Sequence, residues 1–223
     1  MGSITRSFAN NITTSGVLLP ASLNNNSIAN VTAYNAAVAT GNMVLISSQT
    51  ASNSASISFT TGIDSTYKEY QFYFINLRPT SGTAQKFTFN FSTDSGSNYN
   101  VTKTTTSFYA YHNESGADAL LTYTTGNDLA QSTAFNPLTD PIGTASSTVN
   151  SDDSASGYMQ LFNPSSTTYV KHFISTVNQV NPTTYTVVNY CAGYGNTTSA
   201  INAIQFKMAS GNFDGDILMY GIK

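Results

Sequence analysis

The chain has 223 residues, of which 40% are hydrophobic, 12% aromatic and only 9% charged, where an ordinary soluble domain carries roughly 25% charge. With eight basic and eleven acidic residues, a formal charge of −3 gives phosphate backbones and anionic membranes little to attract, which argues against nucleic-acid and membrane partners. No apolar run is long enough to span a bilayer as a helix, and solubility must come from Ser, Thr and Asn, residues that favour strands and turns over helix interiors.

In chain order, residues 1–42 read as an extended N-terminal arm. Asn-rich turns interrupt short apolar triplets, and Val17, Leu18, Leu19, Ile28 and Val31 need burial yet are too sparse to form a core of their own. The opening residues lack the basic start and apolar run of a secretion signal. Residues 43–223 read as one β domain. In SASISFTT, Ala55, Ile57 and Phe59 alternate with Ser and Thr, and in QKFTFNFS, Phe87, Phe89 and Phe91 do the same, so both are expected as half-buried strands. Between them EYQFYFINL is apolar on both faces, as in a strand covered on each side or lying at a subunit contact. Further strands are expected over 99–111, 119–124, 157–162, 168–177, 184–194, 200–208 and 216–222, separated by Gly, Pro, Asn and Asp clusters. Residues 131–156 show no strand pattern and read as an exposed loop. The expectation is an all-β fold: an antiparallel β-sandwich, jelly-roll-like, with an extended N-terminal arm.

Chemistry is sparse. Glu69 and Glu114 are the only glutamates, and His112 and His172 the only histidines. His112 and Glu114 would share a face if their segment were a strand, but NESGAD reads as a turn. His172 sits at strand spacing with Val170 and Ile174, opposite Lys171, and is expected on a partly buried face. Cys191 is the single cysteine, so no internal disulfide framework exists; it is expected as a small buried side chain in a strand, in a chain that folds in a reducing compartment. Asp214 and Asp216 in FDGDI, with Asp152 and Asp153, are the densest carboxylates. Asp214 and Gly215 fit a hairpin turn better than a calcium loop. No catalytic, cofactor-binding or metal-ligating residue is therefore assigned, and no cofactor. Tyr109 with Tyr111, and Tyr190 with Tyr194, share strand faces, where rings stack on sugars, on protein partners or on each other. The sequons at Asn11 and Asn196 carry little weight without a secretion signal.

The stretches SQTASNSASISFTTGIDSTYKEYQFYFINLRP, FNFSTDSGSNYN, GYMQLFNPSSTTYVKHFIS and GYGNTTSAINAIQFKMASGNFDGDILMYGIK resemble a group of small virion proteins of tailed bacteriophages, particularly those of marine bacteria. The resemblance covers residues 43–223. It implies a non-enzymatic β-sandwich that decorates the capsid or forms part of a tail appendage, commonly as a homotrimer, assembled in the host cytoplasm into the virion. On that footing residues 1–42 resemble an attachment arm. Partners would be the major capsid protein or tail proteins, with host surface glycan as the ligand in the tail alternative. The resemblance brings no catalytic motif.

Overall fold

The structure, a computed structural model, describes residues 42–80, 84–143, 153–181 and 185–223. The arm expected over 1–42 lies, apart from Asn42, outside them. The all-β expectation holds: the described residues form twelve strands and no helix. They are β1 (Met43–Ser54), β2 (Ile57–Phe59), β3 (Glu69–Pro79), β4 (Phe87–Ser92), β5 (Lys103–Asn113), β6 (Ala119–Tyr123), β7 (Asn136–Pro137), β8 (Ala155–Phe162), β9 (Lys171–Val180), β10 (Tyr185–Gly195), β11 (Ala203–Met208) and β12 (Phe213–Ile222).

These strands make two antiparallel sheets. One has eight strands in the order β1-β12-β3-β8-β9-β10-β5-β6, the other four in the order β2-β11-β4-β7. The chain crosses between sheets repeatedly. β1 is followed by β2 in the other sheet, β3 returns, β4 leaves again, and β11 and β12 repeat the exchange. Two antiparallel pairs, β5 with β6 and β9 with β10, stay in the large sheet and widen it.

Alternation decides which side chains enter the core. Along β3, Tyr70, Phe72 and Phe74 are buried while Gln71 and Tyr73 are half-buried and Ile75 is exposed, so within a single copy EYQFYFINL is fully covered on one face, and of the two expectations, cover on each side does not hold. Rings from both sheets meet in one core. Phe72 lies 5.4 Å from Phe206, Phe74 5.1 Å from Phe87, and Phe89 4.9 Å from Phe173, most of them edge to face, the geometry that ring quadrupoles favour. Strand β4 departs from the half-buried expectation because all six of its residues are buried. The Asn90 amide donates to the Tyr99 and Thr133 carbonyls, and the Thr88 hydroxyl to the Lys207 carbonyl, so the polar face of FTFNFS is covered by its own connections.

Two glycines are required by the backbone. Gly215 has φ +125 in a bulge where β12 slips against β3, and a Cβ there would sit 2.8 Å from the Asn76 carbonyl oxygen. The expected hairpin turn at Asp214 and Gly215 is thus a bulge within β12; the turn itself precedes Phe213. Gly116 supplies φ +73 in the turn between β5 and β6, with open space around it. The expected exposed loop over 131–156 is also corrected within its described part. Asn136–Pro137 pairs with β4 as β7, and Leu138, Thr139 and Ile142 are buried.

Candidate binding face

The eight-stranded sheet has one face on the core and one turned outward. Register places the outward residues in rows that cross the strands. In one row Gln160 faces Ile174, Ile174 faces Ala192, and Ala192 faces Thr106. A second row runs Tyr73, Tyr158, Thr176, Tyr190, Phe108, Tyr123. In a third, His172 faces Tyr194, which faces Thr104. The rings touch: Phe108 stacks on Tyr190 at 4.9 Å, Tyr73 meets Tyr158 at 6.4 Å and Tyr220 at 5.6 Å, and His172 lies 5.9 Å from Tyr194.

Between the ring-bearing rows lies a hollow of about 530 Å³, lined by Thr104, Thr106, Phe162, His172, Ile174, Ala192, Gly193 and Tyr194 among others. Its size falls within the usual range of ligand sites, roughly 300–1,000 Å³. Small side chains at Ala192, Gly193 and Thr106 leave room that the neighbouring rings border. From β8 to β6 the outward positions carry no Asp, Glu, Lys or Arg. Charged groups lie at its borders: beside β6 the Tyr123 hydroxyl donates to Asp128 at 2.5 Å, and others lie toward the other end of the sheet. Glu69 accepts from the Gln160 amide at 2.9 Å, Asp216 accepts the Thr50 hydroxyl at 2.5 Å, and Arg78 pairs with Asp214 at 3.2 Å. Five adjacent strands therefore present rings, methyls and hydroxyls to their surroundings without formal charge. Phe108, Leu121, Tyr123, Ile174 and Tyr190 are each at least 39% exposed there.

The inner face of the same strands is polar in a different way. Lys103 and Lys171 are fully buried. Lys103 Nζ donates to Asn90 Oδ1 and to the Val101 carbonyl, and burial pushes its pKa down to about 7. Two acceptors match the two N–H groups of a neutral amine. Lys171 Nζ donates to the Tyr169 and Thr197 carbonyls, and burial lowers its pKa as well. Asn136 Oδ1 accepts the Thr105 hydroxyl while its amide donates to Cys191 Sγ at 3.3 Å.

The residues singled out from the sequence fall as follows. His112 ends the outward row of β5, and Glu114 stands in the following turn; both line a shallow hollow of about 240 Å³, and no hydrogen bond joins them. His172 and Lys171 exchange places relative to expectation: the lysine is buried and the histidine exposed, because the apolar face that His172 shares with Ile174 is the outward one. Cys191 is buried in β10 as expected, and burial pushes its thiol up to about 12. Asp214 is held by Arg78 and by the Asn53 N–H, so it and Asp216 are engaged within the fold. Asp152 lies outside the described residues, and Asp153 is buried. Among the described residues, no three His, Cys, Asp or Glu side chains come together as a metal site would require. Tyr109 and Tyr111 share a face at 6.0 Å, on the inner side, and Tyr111 meets the Tyr185 ring at 5.1 Å. Tyr190 and Tyr194 share the outward face.

Sequence reasoning missed Phe108, Ala192, Thr104 and Thr106 as members of one surface. The signal available was their period-two phase with Tyr190 and Tyr194; the pairing of β5 with β10 could not be read from it. No known protein family, curated protein or solved structure matches the chain.

Proposed function

We propose that this chain is a non-enzymatic structural protein of a virus particle, a decoration or cement subunit of a tailed-phage capsid that binds through residues 1–42 and through the outward face of its large sheet. The observation that carries the reading is the uncharged, ring-bearing surface from β8 to β6. A face without charge gains little from exposure to water and presents the composition expected at the centre of a protein contact. The low charge content of the chain, 9%, lowers repulsion between closely packed copies.

The strand order supports a jelly-roll sandwich as the underlying fold. Removing the inserted pairs β5-β6 and β9-β10 leaves β1-β12-β3-β8 facing β2-β11-β4-β7, two four-stranded sheets with the chain passing from one to the other at nearly every connection. Viral capsid and lectin domains use that architecture, an analogy that raises the prior and assigns no site. Cys191 is buried and burial pushes its thiol up to about 12, which keeps it from acting as a nucleophile at neutral pH.

One experiment separates attachment from folding. Deleting Met1–Gly41 abolishes incorporation into particles while circular dichroism stays β-rich, and Ala192→Arg, which places charge in the hollow, lowers occupancy without unfolding the protein. Full occupancy by both variants overturns the reading. The hollow favours a second reading, in which the same fold sits on a tail fibre or tail tip and stacks neutral host glycan on Tyr194 and Phe162. Saturable binding on a glycan array that Ala192→Arg removes would select it.

A further inference from the structure

We infer that β6 is a self-pairing edge, through which two copies of this chain join about a two-fold axis at Leu121. The hydrogen-bond phase of this one strand carries the pairing, whatever particle or ligand the outward face meets.

Strand β6 ends the eight-stranded sheet and pairs only with β5 among the described residues. The Asn113 N–H donates to the Asp118 carbonyl, and the Thr124 N–H to the Ser107 carbonyl. In an antiparallel ladder the bonded pairs alternate, so Leu120 and Thr122 turn their backbone groups toward β5. Ala119, Leu121 and Tyr123 therefore direct their N–H and C=O groups away from the sheet. A free edge of this kind is a template for another strand, and natural edges are usually blunted with Lys, Pro or bulges. The sequence ALLTY has none of these, and four of its five residues are exposed.

The pattern fits its own copy. Antiparallel pairing centred on Leu121 places Leu121 opposite Leu121, small Ala119 opposite large Tyr123, and Leu120 opposite Thr122. The first two kinds of pair would each exchange two backbone hydrogen bonds. No residue of ALLTY is itself charged, and the nearby Asp128 is engaged by the Tyr123 hydroxyl. Asp118 would fall opposite Thr124 of the second copy, and in the single chain its carboxylate already accepts the Tyr185 hydroxyl at 3.0 Å. The Phe108–Tyr190 stack next to Tyr123 would then continue into an unbroken outward surface spanning both copies. An isologous contact needs only a patch complementary to itself.

The test is the mass of the free full-length chain by analytical ultracentrifugation over a dilution series. The expected result is a mass rising from 23.8 kDa toward twice that value. Leu121→Lys, which sets two charges on the axis, should weaken association at least tenfold. So should Leu121→Pro, which removes an outward N–H and no bond to β5. Leu45→Lys, on the opposite border strand β1, should leave association unchanged. In the unmodified chain, hydrogen exchange at the amides of Ala119, Leu121 and Tyr123 should slow as concentration rises, a readout that does not depend on any variant folding. A monomer at every concentration overturns the inference. So does a trimer, the state implied by the phage resemblance, or dimers that both Leu121 variants leave intact, or concentration-independent exchange at those three amides.

Discussion

Phe72 and Tyr73 are neighbours in β3 that point to opposite faces of one sheet, and the contrast between those faces organises the molecule. Inside, Phe72 is fully buried and meets Phe59 at 5.6 Å and Phe206 at 5.4 Å. Outside, Tyr73 is half-buried and meets the rings of Tyr158 and Tyr220. The inner rings are mainly phenylalanine, and the one fully buried inner tyrosine, Tyr70, donates its hydroxyl to the Asp64 carbonyl at 2.9 Å. The outer rings are mainly tyrosine. A phenol tolerates water on its polar edge, so the hydroxyl marks which aromatic surface is turned outward and which belongs to the core.

The sharpest way to break the comparison is to truncate both neighbours. Phe72→Ala should lower unfolding free energy by about 3–5 kcal/mol, the usual range for a lost core ring, and Tyr73→Ala by about 1 kcal/mol or less, the scale of a cross-strand pair. Urea denaturation of both variants checks this. Equal losses would mean that the outward face is as tightly packed as the core.

Lys103 sharpens the inner half of the contrast. Its amine titrates near 7 when folded, against 10.5 in the unfolded chain. Between those values the unfolded state holds a proton that the folded state lacks, so stability should rise as pH climbs through that window and level off above it. The rise is on the order of 5 kcal/mol, at about 1.4 kcal/mol per unit of displacement. Lys103→Met should abolish the rise, as chemical denaturation at pH 7 and pH 10 would show. A flat profile in the unmodified chain would mean that water reaches the amine.

The smallest effect concerns Cys191. With its thiol pushed up to about 12 and its sulfur against the Asn136 amide, it should stay unlabelled by a thiol reagent at neutral pH until denaturant is added. Rapid labelling of the native protein would show that β10 opens locally.

Period two in FTFNF and EYQFYF was enough to predict strands and to name Phe87, Phe89 and Phe91 as core. It could not say what covers the other side. Thr88 and Asn90 are buried because their hydrogen-bond partners, at Lys207 and Thr133, come from distant segments. The same limit explains His172 and Lys171. Alternation shows that they face opposite ways, but the carbonyl of Thr197 that receives the lysine lies 26 residues further on, so polarity alone assigned the faces in reverse. β7 has two residues and therefore no period. The candidate face was legible as pairs of tyrosines, and its extent depended on register between strands that the sequence does not order.

The position of β12 governs when this chain can fold. It lies between β1 and β3 and pairs with both, Met43 facing Ile222 and Glu69 facing the same residue from the other side. On the ribosome, then, the first of the described strands waits for the last one. Among the described residues, β1 has no ladder and β3 lacks one flank until residues 213–222 emerge. A nascent chain of this topology must carry exposed Phe-rich segments for most of its synthesis, and slow, late closure with demand for chaperones is its kinetic signature.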